Sequence, residues 1–512
     1  MRRSWGRFPV RAAFTRTVQC YATERANVPR SRFDRDADGL TATHRAGSSA
    51  DSENMAVVST HHVPVHQQAL SVDAIEAASI RIADAVARTP LEICPRLSAD
   101  TGAEIFLKRE DLQAVRSYKL RGAYNVMAQL SAEELSRGVV AASAGNHAQG
   151  VAFACRSMGV PGRIYVPTTT PKQKRDRIRW HGGDFVELRA VGETYDAAAA
   201  AAQDDVIRTG SVWIHAFDDP RTAAGQGTIA HEIVEQLGRV PDVVVAPVGG
   251  GGCLAGMATY FRGLSDDVTI VGVEPTGAVS LSAALVNGGP VTLAEIDPFV
   301  DGAAVKRIGA IGHRVLSDLG ATVTDHPVLA QITPTPAVRV VPDEPFTPAP
   351  GTAHITHVDE GAICSAMLEL YQNEGIIAEP AGALAVAILD KLQLPADASV
   401  VCLVSGGNND VSRYGEIIER SLVHRGLKHY FLVDFPQEPG ALRRFLDEVL
   451  GPDDDITVFE YVKRNNRETG AALVGIELGH RDGLGGLMDR MDRSRLHCER
   501  LEPGSPAYAY LT

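Results

Sequence analysis

Short apolar runs alternate with amphipathic helical stretches through most of this chain. The runs predict strands, and examples are EIFLKR, GVVAAS, RIYVP, DFVELR, DVVVAPV, VTIVGVE and SVVCLVSGG. The stretches between them, such as RGAYNVMAQL and NHAQGVAFACRSM, carry apolar residues at helical spacing. Strands with continuous Val and Ile, each followed by a helix, are typical of a parallel sheet covered on both faces. The pattern predicts an α/β domain, which we place at residues 71–423.

The pattern changes after Val423. A strand, a helix, two strands and a second helix follow in HYFLVDF, PGALRRFLDEVL, DITVFEYVKR, ALVGIELG and DGLGGLMDRMDR. With HCERL as a closing strand, this order is the ferredoxin-like arrangement of an α+β domain. We place this second domain at residues 424–512.

Two segments lack such periodicity. Residues 326–356 are dense in Pro and Thr, which predicts an extended surface insertion in the first domain. Residues 1–70 are predicted to be a disordered N-terminal extension. Residues 1–25 are rich in Arg and lack acids before Glu24, so they resemble a mitochondrial or plastid transit peptide. A start codon ahead of Met55 is the other interpretation.

Composition narrows the class of partner. The formal net charge of −13 argues against nucleic acid, because phosphate backbones select surfaces rich in Lys and Arg. No apolar run reaches membrane-spanning length. The seven cysteines are scattered without metal-ligand spacing, which fits a reducing compartment. We expect a cytoplasmic protein that acts on small molecules.

The run SYKLRGA places Lys119 at the start of a predicted helix, beside Tyr118. A lysine in such a turn is ordinarily a solvated surface residue. An amine that condenses with an aldehyde must instead be partly neutral, through desolvation or nearby positive charge. We expect Arg121 or Arg116 to supply that charge.

Four consecutive glycines, Gly249, Gly250, Gly251 and Gly252, follow the strand DVVVAPV and precede a helix that begins near Cys253. Backbone N–H groups at a helix N-terminus favour an anion such as phosphate. A competing interpretation is a dinucleotide site, because G-x-G-x-x-A is present and Glu274 ends the next strand. By that motif alone, an NAD-dependent oxidoreductase is possible.

Two polar loops also follow predicted strands. SAGNHAQG places Ser143 and Asn146 at the carboxyl end of a strand, where α/β proteins bind ligands, although both residue types also cap helices. Ser143 is a candidate catalytic residue beside Lys119. SGGN places Ser405 in an equivalent position. An amine, a Ser/Asn loop and a glycine loop are together the parts needed to hold pyridoxal phosphate.

The SYKLRGA, SAGNHAQG, GGGG, EPAGA and SGGN segments, in this order, resemble the threonine dehydratase branch of the fold-type-II (tryptophan synthase β-like) pyridoxal-phosphate enzymes. The second domain resembles the ACT-like regulatory domain of the biosynthetic members, in a single copy. The resemblance implies that Lys119 forms the Schiff base and removes the substrate's α-proton. It further implies a cofactor-binding set of Tyr118, Asn146, Gly249 to Gly252, the amide of Cys253, and Ser405.

The resemblance also implies a reaction and its control. L-threonine, and also L-serine, would be the substrate, with isoleucine as feedback inhibitor, valine as its opponent and a homotetrameric assembly. Some relatives carry a divalent-ion site, but Ala278 and Ser280 follow Glu274 here without a second acid, so we expect no metal. A catabolic serine/threonine dehydratase, a serine racemase and a catalytically idle amino-acid sensor remain alternatives.

Overall fold

A computed structural model describes residues 69–336, 338–461, 468–494 and 496–502, with residues 505 and 508. The predicted N-terminal extension therefore lies almost wholly outside the described residues. The helices are α1 (Val72–Ile82), α2 (Pro95–Thr101), α3 (Lys119–Met127), α4 (Ala132–Arg137), α5 (Asn146–Met158), α6 (Lys172–Gly182), α7 (Tyr195–Thr209), α8 (Pro220–Leu237), α9 (Gly252–Leu264), α10 (Ser280–Asn287), α11 (Ala310–Asp318), α12 (Glu360–Glu374), α13 (Pro380–Ala387), α14 (Tyr414–His424), α15 (Ala441–Glu448) and α16 (Gly483–Arg493).

The strands are β1 (Leu91–Ile93), β2 (Glu104–Arg109), β3 (Val139–Ala142), β4 (Gly162–Val166), β5 (Val186–Ala190), β6 (Val212–Trp213), β7 (Val243–Pro247), β8 (Thr269–Pro275), β9 (Thr322–Thr324), β10 (Val340–Val341), β11 (Ala353–Val358), β12 (Ser399–Val404), β13 (Lys428–Pro436), β14 (Asp455–Tyr461), β15 (Thr469–Glu477) and β16 (His497–Leu501).

The first domain contains two largely parallel sheets. The larger has the order β1-β2-β12-β7-β8-β11-β9-β10, and only its edge strand β1 pairs antiparallel. The smaller has the order β5-β4-β3-β6 and is parallel throughout. Every residue of β7, β8 and β12 is buried, as continuous apolar strands covered on both faces require. This architecture confirms the predicted α/β class.

The C-terminal sheet is antiparallel, with the order β14-β15-β13-β16. Strands and helices follow the chain order β-α-β-β-α-β, which confirms the ferredoxin-like prediction. One face of β13 contributes Phe431, Val433 and Phe435 to a core that also contains Phe445 of α15 and Leu487 of α16. Alternation along β13 therefore places the helices on a single face of this sheet.

The predicted surface insertion over residues 326–356 is wrong at its C-terminal end. β11 begins at Ala353 and is buried throughout, between β8 and β9 of the larger sheet. Its sequence AHITHV hides this burial, because its two histidines find partners inside the protein. His354 pairs with the hydroxyls of Thr322 and Thr324, the latter at 2.9 Å, and His357 pairs with the backbone oxygen of Asp325 at 3.0 Å. The hydroxyl of Thr356 is buried without a partner among the described residues.

A buried cluster of charges lies beneath the first turn of α3. The guanidinium of Arg121 donates to both carboxylate oxygens of Glu110, at 2.7 and 2.8 Å, and to Glu232 at 2.7 Å. The amine of Lys108 donates to Glu232 at 2.6 Å and to the backbone oxygen of Thr89 at 2.8 Å. Two cations therefore balance two carboxylates, and removal of one member leaves an uncompensated buried charge.

We expect Arg121→Met to lower the free energy of unfolding by about 3–5 kcal/mol, because Glu110 then stays buried with one cation fewer. Urea denaturation at neutral pH measures the change. Arg179→Met, which removes an exposed pair with Asp176, is the matched control and should cost about 1 kcal/mol or less. An Arg121→Met protein as stable as the control would show that the cluster adds no stability.

Candidate active site

The segment before α3 is docked against the loop after β12. The amide of Tyr118 donates to the carbonyl of Ser405 at 3.2 Å, and Ser117 forms an isolated antiparallel bridge with Gly406. The SYKLRGA and SGGN segments, far apart in sequence, therefore lie side by side. The hydroxyl of Ser117 is buried and has no hydrogen-bond partner among the described residues.

The amine of Lys119 lies 5.1 Å from the centre of the Tyr118 ring. It makes no hydrogen bond or ion pair with any described residue. Burial lowers the pKa of this amine below its ordinary value, and the nearby Cys253 and Glu379 oppose that shift. The expectation that Arg121 or Arg116 supplies this charge is wrong, since burial lowers the pKa and neither arginine contributes to the shift. Glu110 and Glu232 already neutralise the guanidinium of Arg121.

The glycine loop joins β7 to the N-terminus of α9. Gly251 caps the helix with a φ of 83°, a left-handed conformation that side chains rarely adopt. A Cβ at Gly250 would overlap the ring of Phe217, so this position also needs glycine for packing. The first N–H groups of a helix have no partner within it, which leaves them available to an anion. Cys253 follows in the first turn, where burial raises the pKa of its thiol to about 12.

Asn146 begins α5 and links three segments of the site. Its amide nitrogen donates to Glu379 at 2.6 Å, and its amide oxygen accepts from Asn408 at 2.7 Å. Asn408 in turn accepts from Arg177 at 2.9 Å. Burial raises the pKa of Glu379 to about 7 and nearby Asp301 adds to the shift, whereas the bond from Asn146 opposes it. The motifs in the sequence did not predict a role for Asn408 or Arg177, although Asn408 ends the SGGN segment.

The two candidate serines have different partners. Ser143 lies at the carboxyl end of β3, and its hydroxyl accepts from the amide of Gly145 at 3.2 Å, within its own loop. Ser405 is buried, and its hydroxyl donates to the carbonyl of Ala381 at 3.2 Å. The segments of Lys119 and Ser405 thus contact one another, and Glu379 forms hydrogen bonds with both Asn146 and the carbonyl of Gly406.

Glu274, on which the dinucleotide interpretation depends, does not face an open site. It is fully buried at the end of β8, where its oxygens accept from the amides of Leu281 and Ser282 at 2.7 and 3.0 Å. Burial raises the pKa of this carboxyl to about 7. Over the described residues, no group of three or more His, Cys, Asp or Glu side chains is arranged to hold a metal ion.

These features fit pyridoxal phosphate on the chemistry of the residues alone. A buried, unpaired amine can condense with the aldehyde, and the glycine loop offers N–H groups to a phosphate. The orphaned hydroxyl of Ser117 is a further polar group at the same place. No described residue of the site contradicts this assignment.

Comparisons with known proteins agree with the geometry. Residues 82–333 match the family model of pyridoxal-phosphate dependent enzymes, and residues 419–511 match the C-terminal regulatory domain of threonine dehydratase. The chain is 61% identical over 437 residues to the biosynthetic L-threonine dehydratase IlvA of Mycobacterium bovis, covering 85% of this chain and 95% of that protein. It is 56% identical over 441 residues to IlvA of Corynebacterium glutamicum, covering 86% and 94%.

Solved structures give the same result. The processed form of threonine deaminase isoform 2 from Solanum lycopersicum aligns with a TM-score of 0.57 and 34% identity, over 70% of this chain and 91% of that chain. Maize serine racemase aligns with a TM-score of 0.56 and 28% identity, over 70% and 99%. Fold and site therefore define a fold-type-II pyridoxal-phosphate-dependent enzyme. With a regulatory domain and 61% identity over most of its length, the chain belongs to the family of biosynthetic L-threonine dehydratases.

Several expectations are settled by this membership. The predicted cofactor and the threonine dehydratase resemblance are confirmed, and the NAD-dependent oxidoreductase is excluded. The transit-peptide interpretation is not borne out, because the curated relatives compared above are bacterial. Among the described residues, no helix is long and apolar enough to cross a membrane.

We expect Glu379→Gln to change how stability depends on pH. Wild-type Glu379 has a folded pKa of about 7, above its ordinary value. Its carboxyl stays protonated in the folded protein while it ionises in the unfolded chain, so the free energy of unfolding falls as pH rises towards 7. The variant stays neutral and its Oε1 can still accept from Asn146. Relative to wild type, it should gain on the order of 3 kcal/mol of unfolding free energy between pH 5 and pH 8.

Urea denaturation at several pH values in this range tests the prediction. The exposed Glu133→Gln variant is the control and should follow the wild-type pH dependence. Parallel curves for Glu379→Gln and wild type would mean that Glu379 is already ionised at pH 5 in the folded protein.

Proposed function

We propose that the protein dehydrates and deaminates L-threonine to 2-oxobutanoate and ammonia, as the first step of isoleucine biosynthesis. The observation that carries this proposal is the buried, unpaired amine of Lys119 beside the SGGN loop, in a chain with a threonine dehydratase regulatory domain. The names of the relatives support the substrate. L-serine, which is one methyl group smaller, is a further substrate.

Each site residue has a role in this proposal. Lys119 would hold the cofactor covalently, with Tyr118 beside its ring and Asn146 at its 3′-oxygen. The amides of Gly249, Gly250, Gly251, Gly252 and Cys253 would hold the phosphate, and the hydroxyl of Ser405 would meet the ring nitrogen. A hydroxyl there keeps that nitrogen neutral, which limits delocalisation into the ring and favours loss of a β-leaving group over other outcomes.

The protein's part in the chemistry is binding and proton transfer. When bound, pyridoxal phosphate supplies an electron sink for the charge that develops at the substrate's α-carbon. Lys119 takes the α-proton, and burial, which lowers the pKa of its amine, favours the neutral form that this task requires. The loop from Ser143 to Asn146 offers backbone N–H groups to the substrate carboxylate. Loss of the β-hydroxyl as water, and hydrolysis of the resulting imine, gives 2-oxobutanoate and ammonia.

Regulation belongs to the C-terminal domain in this proposal. Isoleucine binds there and inhibits, valine opposes it, and the protein acts as a homotetramer in the cytoplasm. The family match over residues 419–511 supports a small-molecule regulatory site in this part of the chain. An effector controls turnover only when it binds one state of the protein better than another.

We expect Lys119→Ala to lower 2-oxobutanoate release from L-threonine by at least about a thousandfold, because no other described amine replaces the base. The matched control is Lys172→Ala, which removes an exposed lysine paired with Asp176 and should keep wild-type turnover. Circular dichroism establishes that both variants are folded. Turnover near the wild-type rate in Lys119→Ala would refute the assignment of Lys119.

A chain that ends at Gly426 keeps α14 intact and lacks β13 to β16. We expect it to release 2-oxobutanoate without inhibition by isoleucine. The measurement is the initial rate over a series of isoleucine concentrations, with the full chain as control. Inhibition of an active truncated protein would place the effector site outside the C-terminal domain.

A further inference from the structure

A single helix, α14, connects the regulatory sheet to the catalytic part of the chain. Its residue Glu419 uses both carboxylate oxygens on β13, where one accepts from the hydroxyl of Tyr430 at 2.5 Å and the other from the amine of Lys428. Lys428 is itself buried, and its amine lies 5.5 Å from the centre of the Tyr430 ring. A shift of β13 relative to α14 must therefore break or stretch a charged, partly buried contact.

Another part of the surface of α14 contacts an aromatic ring of the catalytic part. The guanidinium groups of Arg413, just before α14, and Arg420, within it, lie 4.5 and 4.2 Å from the centre of the Phe299 ring. Arg413 also donates to the carbonyl of Phe299 at 3.1 Å. Glu416 lies between the two arginines and accepts from Arg420 at 3.1 Å. We name Phe299, Arg413 and Arg420 the arginine clamp.

Residues 297–303 contact both the arginines and the cofactor site. Phe299 packs against the arginines, and Ala303 lies beside the glycine loop. A Cβ at Gly249 would lie 3.1 Å from the Cα of Ala303, so the glycine loop rests directly on this segment. A Cβ at Gly302 would lie 2.8 Å from the Cβ of Ala381, at the start of α13. Asp301 pairs with Lys174, and its charge is among the causes that raise the pKa of Glu379. One short segment thus contacts both the glycine loop and the surroundings of Glu379.

We propose that the arginine clamp transmits the state of the regulatory domain to the cofactor site through residues 297–303. This inference rests on the proposed function and names the route of its regulation. The route has three consecutive steps: β13 to Glu419, α14 to Phe299, and Phe299 to the backbone beside Gly249. Phe299 is only 3% exposed, so its ring cannot move without rearrangement of the two arginines.

The geometry also explains why the coupling needs the aromatic ring. A cation over a ring face is attracted electrostatically, and two cations on one ring fix its plane and position relative to α14. A branched aliphatic side chain fills similar space but offers no such face. Phe299→Leu therefore removes the aromatic face while it keeps most of the packing. Phe299→Ala would also leave a cavity, so it is the less specific test.

The test compares four full-length, cofactor-loaded proteins: wild type, Phe299→Leu, Arg420→Met and the matched control Arg189→Met. Arg189 lies 5.6 Å from the Tyr165 ring on β4, so its variant removes a cation over a ring outside the route. For each protein, calorimetry measures isoleucine binding and 2-oxobutanoate release measures its inhibition. The visible circular dichroism of the bound cofactor, with and without isoleucine, reports on the site independently of turnover.

We expect Phe299→Leu and Arg420→Met to keep basal turnover and isoleucine affinity within about threefold of wild type. The effect of isoleucine on 2-oxobutanoate release should be at least about fivefold smaller than in wild type, which is in the range of an allosteric coupling. The isoleucine-induced change in cofactor dichroism should be smaller as well. Arg189→Met should match wild type in every readout. Arg420→Lys, which keeps a cation over the ring, should retain more inhibition than Arg420→Met.

The possible failures are distinct. Full inhibition in both Phe299→Leu and Arg420→Met overturns the inference and leaves the proposed function intact. Loss of isoleucine binding in these variants also overturns it, because the clamp would then belong to the effector site. A wild-type protein that releases 2-oxobutanoate but ignores isoleucine removes the proposed regulation and this inference together. If Phe299→Leu does not fold, Arg420→Met decides alone, since that side chain is partly exposed.

Discussion

The unpaired amine of Lys119 is the constraint on which the rest of the site depends. A buried lysine without a carboxylate partner is disfavoured as a cation, so burial itself keeps the amine partly neutral and reactive. The neighbouring cations Arg121 and Lys108 are paired with Glu110 and Glu232, so burial, rather than nearby positive charge, lowers the pKa of this amine. One unpaired amine with a lowered pKa and a balanced ionic cluster therefore coexist around a single helical turn.

The site gathers around that amine because strands of two sheets end near it. Loops after β3, β7 and β12 supply Asn146, the glycine loop and Ser405, as expected for ligand sites at the carboxyl ends of parallel strands. Hydrogen bonds from Asn146 to Glu379 and from Asn408 to Asn146 join the loops of the two sheets. Residues 297–303 rest on the glycine loop, so the site has a physical connection to α14 and the regulatory sheet.

Sequence reasoning succeeded where burial follows from a local pattern. The continuous apolar runs of β7, β8 and β12 predicted buried strands, and the order of elements after Val423 predicted the ferredoxin-like domain. It failed at β11, where His354 is satisfied by distant partners such as Thr324. Periodicity reports which positions are apolar, and it carries no information about partners that polar side chains find elsewhere in the fold.

The sequence by itself determined the order of elements, the glycine loop and the motifs that indicate pyridoxal phosphate, because backbone geometry and anion binding at a helix N-terminus depend on neighbouring residues. Only the tertiary structure decided the electrostatics. In the folded protein, Arg121 pairs with Glu232 rather than with a group of the site. Asn408 donates to Asn146, and Arg413 and Arg420 lie over the ring of Phe299. These contacts join residues far apart in the chain, so no local pattern encodes them.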